Sequence, residues 1–412
     1  MSNKEIVIVG GGLAAATAAE TLRAEGFDGS LRIVAAESHH PYLRPPLSKE
    51  YFKGDAARDT IFVHPDQWYA DNKVELLLNS PAAALDLAAH EVVLDSGDRL
   101  HYDQLLLATG ASSRRLHVPN YEASGIYYLR TVEESEALRD ALSVGGKRLV
   151  IVGSGWIGLE IAAAARGYGN NVTVIGMENV ALSVALGDEL GGVFEKMHRE
   201  HGVEFRLPAS LKEFEEKDGH VTGVVIEGAA GIETLPADLV VVGAGAIPNV
   251  DLAQAAGITI NRGIETDERL QTSAPDVFAA GDVANALHPV VKVHMRNEHW
   301  ANAINAGKVA AKSMLGQDVV FDDIPYFYTD QYDLGMEYAG YPTLTGDATV
   351  VYRGDPATRE FIAFWQAADG RVVAGMNVNV WDVSEDIQSL VRSARSVDAA
   401  RLADASIPIT EV

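Results

Sequence analysis

The residues from Lys4 to Glu20, KEIVIVGGGLAAATAAE, read as an apolar strand, a glycine-rich turn and an alanine-rich helix. The residues from Lys147 to Ala165, KRLVIVGSGWIGLEIAAAA, have the same three parts in the same order. The chain therefore contains an internal repeat, and each copy begins like a βαβ unit.

Each copy continues into a second strand that is followed by an acidic residue. Glu37 stands 27 residues after Gly10, and Glu178 stands 25 residues after Gly153. A glycine turn between a strand and a helix, with an acidic residue at this distance, is typical of dinucleotide-binding domains. The repeat predicts an α/β fold with two Rossmann-type dinucleotide-binding domains.

Each half also holds a later buried strand that ends in a glycine-containing turn, LLLATGAS at 105–112 and LVVVGAGAIPN at 239–249. The two strands occupy equivalent places in the repeat. After them, TSAPDVFAAGDVAN at 272–285 predicts a short strand that leads to Gly281 and Asp282. A helical pattern follows from residue 298 to residue 315.

The pattern changes from about Ile324 onward. Apolar and polar residues alternate in EYAGY, ATVVYRG, EFIAFWQ and VVAGMNVNVW, and Gly, Asp and Pro separate these runs. We expect an antiparallel sheet here, flanked by a capped helix that begins near Ser384.

Composition excludes several classes of protein. The chain of 412 residues has a formal net charge of -25, which disfavours binding to nucleic acid or anionic lipid. No apolar run reaches the ~20 residues that a membrane helix needs. The N-terminal residues imitate a secretory signal, but their glycines fit a nucleotide-binding turn better, so we expect a cytoplasmic protein. The absence of cysteine rules out a redox-active disulfide, a thiolate nucleophile and a Cys-ligated cluster.

Without cysteine, two-electron chemistry depends on bound cofactors. Two dinucleotide sites suggest one cofactor that is held tightly and one that exchanges. FAD accepts hydride and can release electrons singly, which nicotinamide does not, so FAD with NADH or NADPH would convert a two-electron donor into a one-electron donor. We expect an FAD-binding domain at 1–117 and 248–323, a NAD-binding domain at 118–247, and a C-terminal α+β interface domain at 324–412.

The two glycine turns differ at their third small residue, which is Ala15 in the first and Gly158 in the second. Small residues at these turns let backbone N–H groups approach a pyrophosphate at a helix N-terminus. Glu37 would accept both hydroxyls of the FAD adenosine ribose. Glu178 would accept the 2′-hydroxyl of NADH and repel the phosphate of NADPH, so we expect NADH to be preferred.

The stretch PYLRPPLSKEYF at 41–52 is neither a helix face nor an alternating strand. Its prolines restrict the backbone, so it predicts a stiff basic loop that presents Arg44 and Lys49 to a cofactor. Glu160 follows Gly155 by five residues on the helix after the second turn, where it would face the cofactor and need a cation. Lys49 is the natural partner, and a positive charge near the flavin would stabilise its reduced anion. The alternative is two separate surface ions.

Eight motifs resemble, in this order, those of the FAD-dependent ferredoxin and rubredoxin reductases that serve bacterial oxygenases and P450s: GGGLAAA, RPPLSK, LLLATG, GSGWIGLE, GAGAIPN, AAGDVA, RNEHWANA and YFYTDQYDLGMEYAG. The resemblance extends to about Val383. Apoptosis-inducing factor has a similar framework, but RPPLSK and DQYDL favour the reductase branch. The resemblance implies a monomeric or homodimeric enzyme that takes hydride from NADH or NADPH. It would pass single electrons to a small [2Fe-2S] ferredoxin, another ferredoxin or a rubredoxin.

The resemblance also implies roles for single residues. Arg44 and Lys49 would hold the pyrophosphate and the flavin edge, Asp282 the ribityl-phosphate region, and Trp300 the pyrimidine end of the isoalloxazine. Lys49 and Glu160 are the predicted catalytic residues, and no metal ligand is predicted. The predicted cofactor-binding residues are Gly10, Gly12, Leu13, Ala14, Ala15, Glu37, Arg44, Lys49, Ala82, Thr109, Gly110, Arg130, Gly153, Gly155, Trp156, Ile157, Gly158, Glu160, Glu178, Gly243, Gly245, Gly281, Asp282, Glu298, His299, Trp300 and Tyr328.

Some positions leave alternatives open. Gly176 stands where an acidic residue often follows the second strand in this family, which leaves the nucleotide preference open. Tyr326 and Tyr328 stand where tryptophan is frequent, which leaves the route of electron exit open. Trp381 either covers the flavin or fills the core between domains. The run at 112–115, SSRR, is either a basic patch for an acidic ferredoxin or a solvated turn.

Two other functions are consistent with the sequence. A flavin-dependent NADH oxidase or quinone reductase would take up hydride in the same way but would need no protein partner. A redox-sensing protein similar to apoptosis-inducing factor would hold FAD and NADH in a long-lived complex without turnover. The electron acceptor therefore distinguishes the three hypotheses.

Overall fold

The computed structural model describes residues 4–412, and the chain folds into two compact units. Met1–Asn3, at which the predicted FAD domain and the signal-like stretch begin, lie outside the described residues. None of the helices within 4–412 is both long and apolar enough to cross a membrane. The first unit consists of Met1–Arg44, Ala57–Ser112 and Ala246–Pro325, and the second of Pro45–Ala56, Ser113–Gly245 and Tyr326–Val412. The predicted boundaries of three domains stay a prediction.

The secondary structure of the described residues is mixed. The strands, β1 to β26, are Glu5–Val9, Ser30–Val34, Val74–Leu77, Ala82–Asp86, Glu91–Leu94, Arg99–His101, Gln104–Leu107, Ala111–Ser113, Ile126–Tyr127, Arg148–Val152, Asn171–Ile175, Glu204–Arg206, Ala209–Lys217, His220–Gly228, Gly231–Pro236, Leu239–Val242, Ala246–Pro248, Ile264–Thr266, Val277–Ala279, Ala284–Leu287, His294–Met295, Tyr326–Gln331, Leu334–Gly340, Thr349–Asp355, Glu360–Gln366 and Val372–Val378. The α-helices, α1 to α11, are Leu13–Ala24, Glu50–Lys53, Asp66–Asp71, Val132–Ser143, Trp156–Gly167, Ser183–Leu186, Asp188–Glu200, Asp251–Ala255, Trp300–Met314, Ser384–Ser393 and Ala399–Ala403. Short 3-10 helices are Pro45–Ser48, Arg58–Ile61, Gly281–Val283, Pro342–Leu344, Pro356–Thr358 and Ile409–Glu411.

The first unit is built around a parallel sheet of strand order β19-β7-β1-β2-β3. Ile6 and Ile8 of β1 belong to the core that contains α1 and α9, whereas Val7 and Val9 belong to the core on the other face. A strand buried on both faces is apolar throughout, which explains the continuous IVIV run. The two helices approach closely at Gly307, where a Cβ would lie 2.7 Å from the carbonyl oxygen of Ala14.

The second unit repeats this plan with a parallel sheet of order β12-β11-β10-β16-β9. The small antiparallel sheet β13-β14-β15 contributes Phe214 and Val224 to the same core as Val150 and Val240 of the parallel strands. Two parallel sheets, each beginning with a strand, a glycine turn and a helix, confirm the predicted pair of Rossmann-type domains.

The C-terminal part of the second unit is an antiparallel sheet of order β22-β23-β26-β25-β24, with α10 packed against it. The sheet and the start of the helix at Ser384 confirm the prediction, but the cap does not. Val383 occupies the N-cap position and makes no side-chain cap. Ser384 is already helical, and its hydroxyl oxygen accepts a hydrogen bond from Gln388 instead. Strand β22 was missed because tyrosine and phenylalanine occupy both of its faces in YFYTDQ.

The prediction of a stiff loop at 41–52 is wrong for its second half. Pro45–Ser48 forms a 3-10 helix and α2 follows it, because a proline φ near -65° suits a first helical turn. This segment packs on α4 and α5 of the second unit. The hydroxyl of Ser135 donates to the carbonyl oxygen of Leu47 at 2.8 Å, and that of Tyr168 donates to the carbonyl oxygen of Phe52 at 2.7 Å.

Candidate functional site

In the glycine turn of the first unit, the fold requires one glycine, whereas a second glycine leaves open space. Gly10 has a φ of +129°, and a Cβ there would lie 2.0 Å from the carbonyl oxygen of Ala108. Gly12 has ordinary extended backbone, and a Cβ there would meet nothing within 4 Å. It also leaves the first N–H groups of α1 without a side-chain cap. The turn therefore offers an anion the space and the donors that it needs.

The glycine turn of the second unit leaves the same open space. Gly153 has a φ of +121°, and a Cβ there would lie 2.3 Å from the carbonyl oxygen of Gly243. A Cβ on Gly155 would again meet nothing within 4 Å, and Gly155 caps α5 without a side chain. Gly158 must be glycine because its Cβ would lie 2.3 Å from the carbonyl oxygen of Gly153. Both turns thus fit a dinucleotide pyrophosphate.

In the first unit, the carboxylate of Glu37 is held by two donors. The hydroxyl of Tyr42 donates to one oxygen, and a guanidinium N–H of Arg44 donates to the other at 2.6 Å. Burial alone would lower the pKa of Arg44, but its interactions with Tyr42, Glu37 and Asp282, which include the hydrogen bond to Glu37, raise it. Arg44 therefore stays a cation beside Glu37, and its predicted contact with the pyrophosphate stays a prediction.

In the second unit, Glu178 turns toward the glycine turn. Its carboxylate accepts a hydrogen bond from the hydroxyl of Ser154 at 2.9 Å. A Cβ on Gly176 would lie 2.8 Å from the same carboxylate oxygen and 2.6 Å from the Ser154 hydroxyl. The glycine that departs from the family pattern thus makes room for the acidic residue two positions later.

Lys49 and Glu160 form the predicted ion pair, with 2.7 Å between the ammonium nitrogen and a carboxylate oxygen. Both side chains are buried, so the alternative of two surface ions is wrong. The hydroxyls of Ser48 and Thr329 also donate to this carboxylate, each at 2.6 Å. A buried ion pair is stable only when such further hydrogen bonds satisfy it, and here three donors converge on one carboxylate.

Tyr328 flanks the ion pair. The ammonium of Lys49 lies 5.4 Å from the centre of its ring, within the range of a cation–π contact. Burial, together with the charges of Glu50, Asp330 and Glu160, raises the pKa of Tyr328 to about 12. The phenol therefore stays neutral beside the ammonium at physiological pH.

The other predicted residues of the first unit lie at the ends of its strands and helices. A Cβ on Gly281 would lie 3.1 Å from the Cβ of Ala14, so this 3-10 turn adjoins the start of α1. The hydroxyl of Thr109 donates to the carbonyl oxygen of Asn249 at 2.7 Å, and Trp300 begins α9. Leu13, Ala15, Ala82, Gly110, Glu298 and His299 belong to the same unit.

The remaining predicted residues belong to the second unit. The ring of Trp156 lies 5.1 Å from that of Phe327 and 5.5 Å from that of Phe194. Arg130 precedes α4, and its backbone N–H donates to Glu134. Ile157, Gly243 and Gly245 complete the set. Arg44 and Lys49, five residues apart in the sequence, belong to different units, and the contacts predicted for each of these residues with a cofactor stay predictions.

Sequence reasoning missed four residues around Glu160. Ser48 and Thr329 donate to its carboxylate, and behind Thr329 lie Gln331 and the ring of His198. Strand alternation places positions 329 and 331 on one face of β22, and both are buried while Asp330 is exposed. This alternation was the available signal, but the polar partners of a residue on α5 could not be read from it.

The structure bears on two questions that the sequence left open, which are the role of Trp381 and the character of the run at 112–115. Trp381 is 55% exposed and lies against Gly335, where a Cβ would meet its ring at 2.4 Å, so it does not fill a core. In the SSRR run, the guanidinium of Arg115 stacks over the ring of Tyr128 at 3.9 Å and lies 3.5 Å from Glu134. This arginine is therefore partly neutralised, which weakens the run as a basic patch.

Comparisons with known proteins agree with this arrangement. Residues 4–307 match the family described as pyridine nucleotide-disulphide oxidoreductase, and residues 326–412 match the family described as reductase C-terminal. The ferredoxin–NAD(+) reductase component of the anthranilate 1,2-dioxygenase system of Burkholderia cepacia is 37% identical over 407 residues, which cover 99% of this chain and 98% of that protein. A rubredoxin-NAD(+) reductase of Pseudomonas putida is 33% identical over 375 residues, 91% of this chain and 96% of that protein. The chain belongs to the ferredoxin and rubredoxin reductase family.

A solved structure supports the same assignment. The reductase in the covalent putidaredoxin reductase-putidaredoxin complex superposes with a TM-score of 0.94 at 33% identity, and the match covers 100% of this chain and 98% of that one. As a member of the ferredoxin and rubredoxin reductase family, the chain is an oxidoreductase that uses FAD and NAD(P)H. The family description mentions disulphides, but this chain has no cysteine and therefore no redox-active dithiol of its own.

The glycine turn of this reductase gives a prediction that separates folding from cofactor binding. Gly10→Ala should lower the free energy of unfolding of the FAD-free protein by at least about 2 kcal/mol, because of its positive φ and the clash with Ala108. The matched control Gly12→Ala should change it by less than about 0.5 kcal/mol, yet lose FAD. Urea unfolding and the FAD content of the purified proteins check this. Equal stability losses for both variants would contradict it.

The buried His198 gives a prediction about pH. Burial lowers its pKa to about 4 from the usual 6.5, so the unfolded chain binds the proton more readily than the folded chain between these values. Its contribution to stability is constant above pH 6.5 and falls as the pH drops toward about 4, by about 2 kcal/mol at about pH 5. His198→Gln, which cannot titrate, should lack this loss. Urea unfolding of both proteins at several pH values between about 5 and 7 measures it, and parallel curves would contradict it.

Proposed function

We propose that this reductase takes hydride from NADH and delivers single electrons to a small [2Fe-2S] ferredoxin of an oxygenase or P450 system. The observation that carries the proposal is the buried Lys49–Glu160 pair in a chain without cysteine. FAD, when bound, accepts hydride from a nicotinamide and gives up electrons one at a time. The names of the relatives, which include reductases of ferredoxin and rubredoxin, support the choice of acceptor.

The first unit has the residues to hold FAD. The open space at Gly12 would receive the pyrophosphate. A carboxylate has about four acceptor sites, and Tyr42 and Arg44 occupy two of those on Glu37, so the others are left for ribose hydroxyls. Asp282 lies close enough to Arg44 to raise its pKa, which places a second carboxylate in the same region of this unit. This supports a contact of Asp282 with the ribityl-phosphate region.

Lys49 supplies a positive charge that solvent does not screen. An ammonium has three N–H donors, and one is directed at Glu160. The other two would be available to a bound flavin, and the charge would favour electron density on its ring. Since water is excluded from this pair, the effect of the charge is stronger than at a surface.

The second unit has the residues to hold NADH. Gly155 leaves open space for the pyrophosphate. The Glu178 carboxylate lies at the same turn, where it accepts a hydrogen bond from the Ser154 hydroxyl. A carboxylate accepts ribose hydroxyls and repels the 2′-phosphate of NADPH. We therefore propose NADH as the physiological donor.

We also propose a cytoplasmic location, where NADH is available. The apolar run that imitates a secretory signal forms β1 and α1, and both contribute to a core of the first unit. Cleavage after this run would remove the first strand and the glycine turn.

The proposed acceptor is tested with a panel of ferredoxins and rubredoxins. We expect NADH-driven cytochrome c reduction to depend on an added [2Fe-2S] ferredoxin and to rise at least about tenfold above the rate without it. Oxygen consumption and quinone reduction are measured with the same enzyme as controls. Oxygen or quinone turnover that is equally fast without ferredoxin would favour an oxidase or quinone reductase, and slow turnover with every acceptor would favour a redox sensor.

The proposed donor is tested by removing the ribose-reading carboxylate. Glu178→Ala should lower the ratio of kcat/KM for NADH to that for NADPH by about tenfold, because a hydrogen bond to a charged group contributes about 1.5 kcal/mol. Met177→Ala is the control, because the Met177 side chain is next to Glu178 in the sequence, is 79% exposed and carries no charge. An unchanged ratio for Glu178→Ala would show that another residue reads the ribose.

A further inference from the structure

A chain of buried hydrogen bonds leads away from Glu160 inside the second unit. The hydroxyl of Thr329 lies 2.6 Å from the Glu160 carboxylate, and the amide nitrogen of Gln331 lies 3.1 Å from that hydroxyl. The amide oxygen of Gln331 lies 2.7 Å from Nε2 of His198, and Nδ1 of His198 lies 3.4 Å from the hydroxyl of Tyr332. The chain joins α5 to β22, α7 and the turn after β22.

The donors in this chain all point toward Glu160. An ionised carboxylate only accepts, so Thr329 must donate to it. The Thr329 oxygen then accepts from the amide N–H of Gln331, whose oxygen faces His198 and accepts from Nε2–H. This assignment makes His198 the Nε2–H tautomer, with Nδ1 as the acceptor for Tyr332.

The chain is buried and neutral. Thr329 is 1% exposed, and Gln331 and His198 are 0% exposed. Burial lowers the pKa of His198 to about 4, so its ring is uncharged at neutral pH. Buried polar groups are costly unless they are hydrogen-bonded, and here Thr329, Gln331 and His198 each make at least two hydrogen bonds within the chain.

The chain cannot serve as a proton path, because a primary amide in its middle does not pass protons readily. Orientation is the remaining role. Ser48 and Lys49 come from one short segment, Pro45–Ala56, so these two donors alone would let the carboxylate move with that segment. Thr329 is the donor that ties Glu160 to the C-terminal sheet.

We propose that Gln331 and His198 are positioning residues that act through Thr329 to fix the Glu160 carboxylate, and through it the ammonium of Lys49, for hydride uptake. The inference rests on the proposed role of the Lys49–Glu160 pair. It adds two residues that act on Glu160 through Thr329 and thereby set the rate at which the enzyme is reduced.

The test uses the holoenzyme and pairs of variants that remove or keep one donor. Gln331→Leu should slow flavin reduction by NADH about tenfold in stopped-flow measurements and make the flavin reduction potential more negative, while the FAD content stays the same. His198→Leu should act in the same direction, and His198→Gln should restore the rate to within about twofold, because its amide keeps an N–H donor. An unchanged rate and potential in Gln331→Leu would overturn the inference.

A double-mutant cycle separates this inference from the proposed function. Glu160→Gln should slow flavin reduction, and adding Gln331→Leu to it should slow reduction by less than about twofold more, since the group that Gln331 positions is already changed. Normal reduction in Glu160→Gln would overturn the proposed role of the pair. Slow reduction in Glu160→Gln with full additivity of Gln331→Leu would overturn only the inference.

Two further measurements do not depend on the folding of Gln331→Leu. Histidine ¹⁵N NMR of the holoenzyme, with the signal assigned from His198→Gln, should show the Nε2–H tautomer, and an Nδ1–H tautomer would overturn the direction of the chain. If Gln331→Leu does not fold, Thr329→Val and Thr329→Ser replace it. The first should lower the rate and shift the potential, and the second should keep both; equal behaviour of the two variants would overturn the inference.

Discussion

The second unit depends on one electrostatic constraint, which is that the ammonium of Lys49 lies out of water. An ammonium and a carboxylate removed from water lose several kcal/mol of hydration each, and their mutual attraction offsets this only with good geometry and further hydrogen bonds. The structure meets this requirement with Ser48 and Thr329, which bring donors from two distant segments to Glu160. The 3-10 helix at Pro45–Ser48 and the first strand of the C-terminal sheet thus both contribute a hydrogen bond to this pair.

The two glycine turns show a second constraint, which acts on the backbone. In each turn the first glycine has a positive φ and lies against a carbonyl oxygen of a neighbouring strand, so the fold alone requires it. The second glycine has neither feature, and a side chain there would meet nothing within 4 Å. Gly12 and Gly155 share this property, so both turns leave open space at the N-terminus of a helix, where the two predicted dinucleotide sites lie.

Much of the fold and part of the site could be predicted from the sequence because they rest on local patterns. The repeat, the glycine turns and the alternating C-terminal strands each occupy a short window, and periodicity within a window is readable. The pairing of Lys49 with Glu160, 111 residues apart, was reached because a buried carboxylate needs a cation. Thr329, 169 residues from Glu160, could not be found in this way, because a neutral hydroxyl makes no comparable demand. Local reasoning also failed at Pro45–Ser48, since consecutive prolines permit a 3-10 turn as well as an extended loop, and tertiary contacts select between them.

The neutrality of the chain behind Glu160 follows from what the ion pair has to do. A second cation on the Glu160 carboxylate would satisfy it as well as Thr329 does, but it would compete with Lys49 for the same charge and change the field around the ammonium. Neutral donors orient the carboxylate and leave the pair with a net charge of zero. A histidine fits this purpose only if it does not titrate near neutral pH, and burial ensures this by lowering the pKa of His198 to about 4. The same burial that makes His198 a cost to stability in acid thus keeps the charge balance around Lys49 constant at neutral pH.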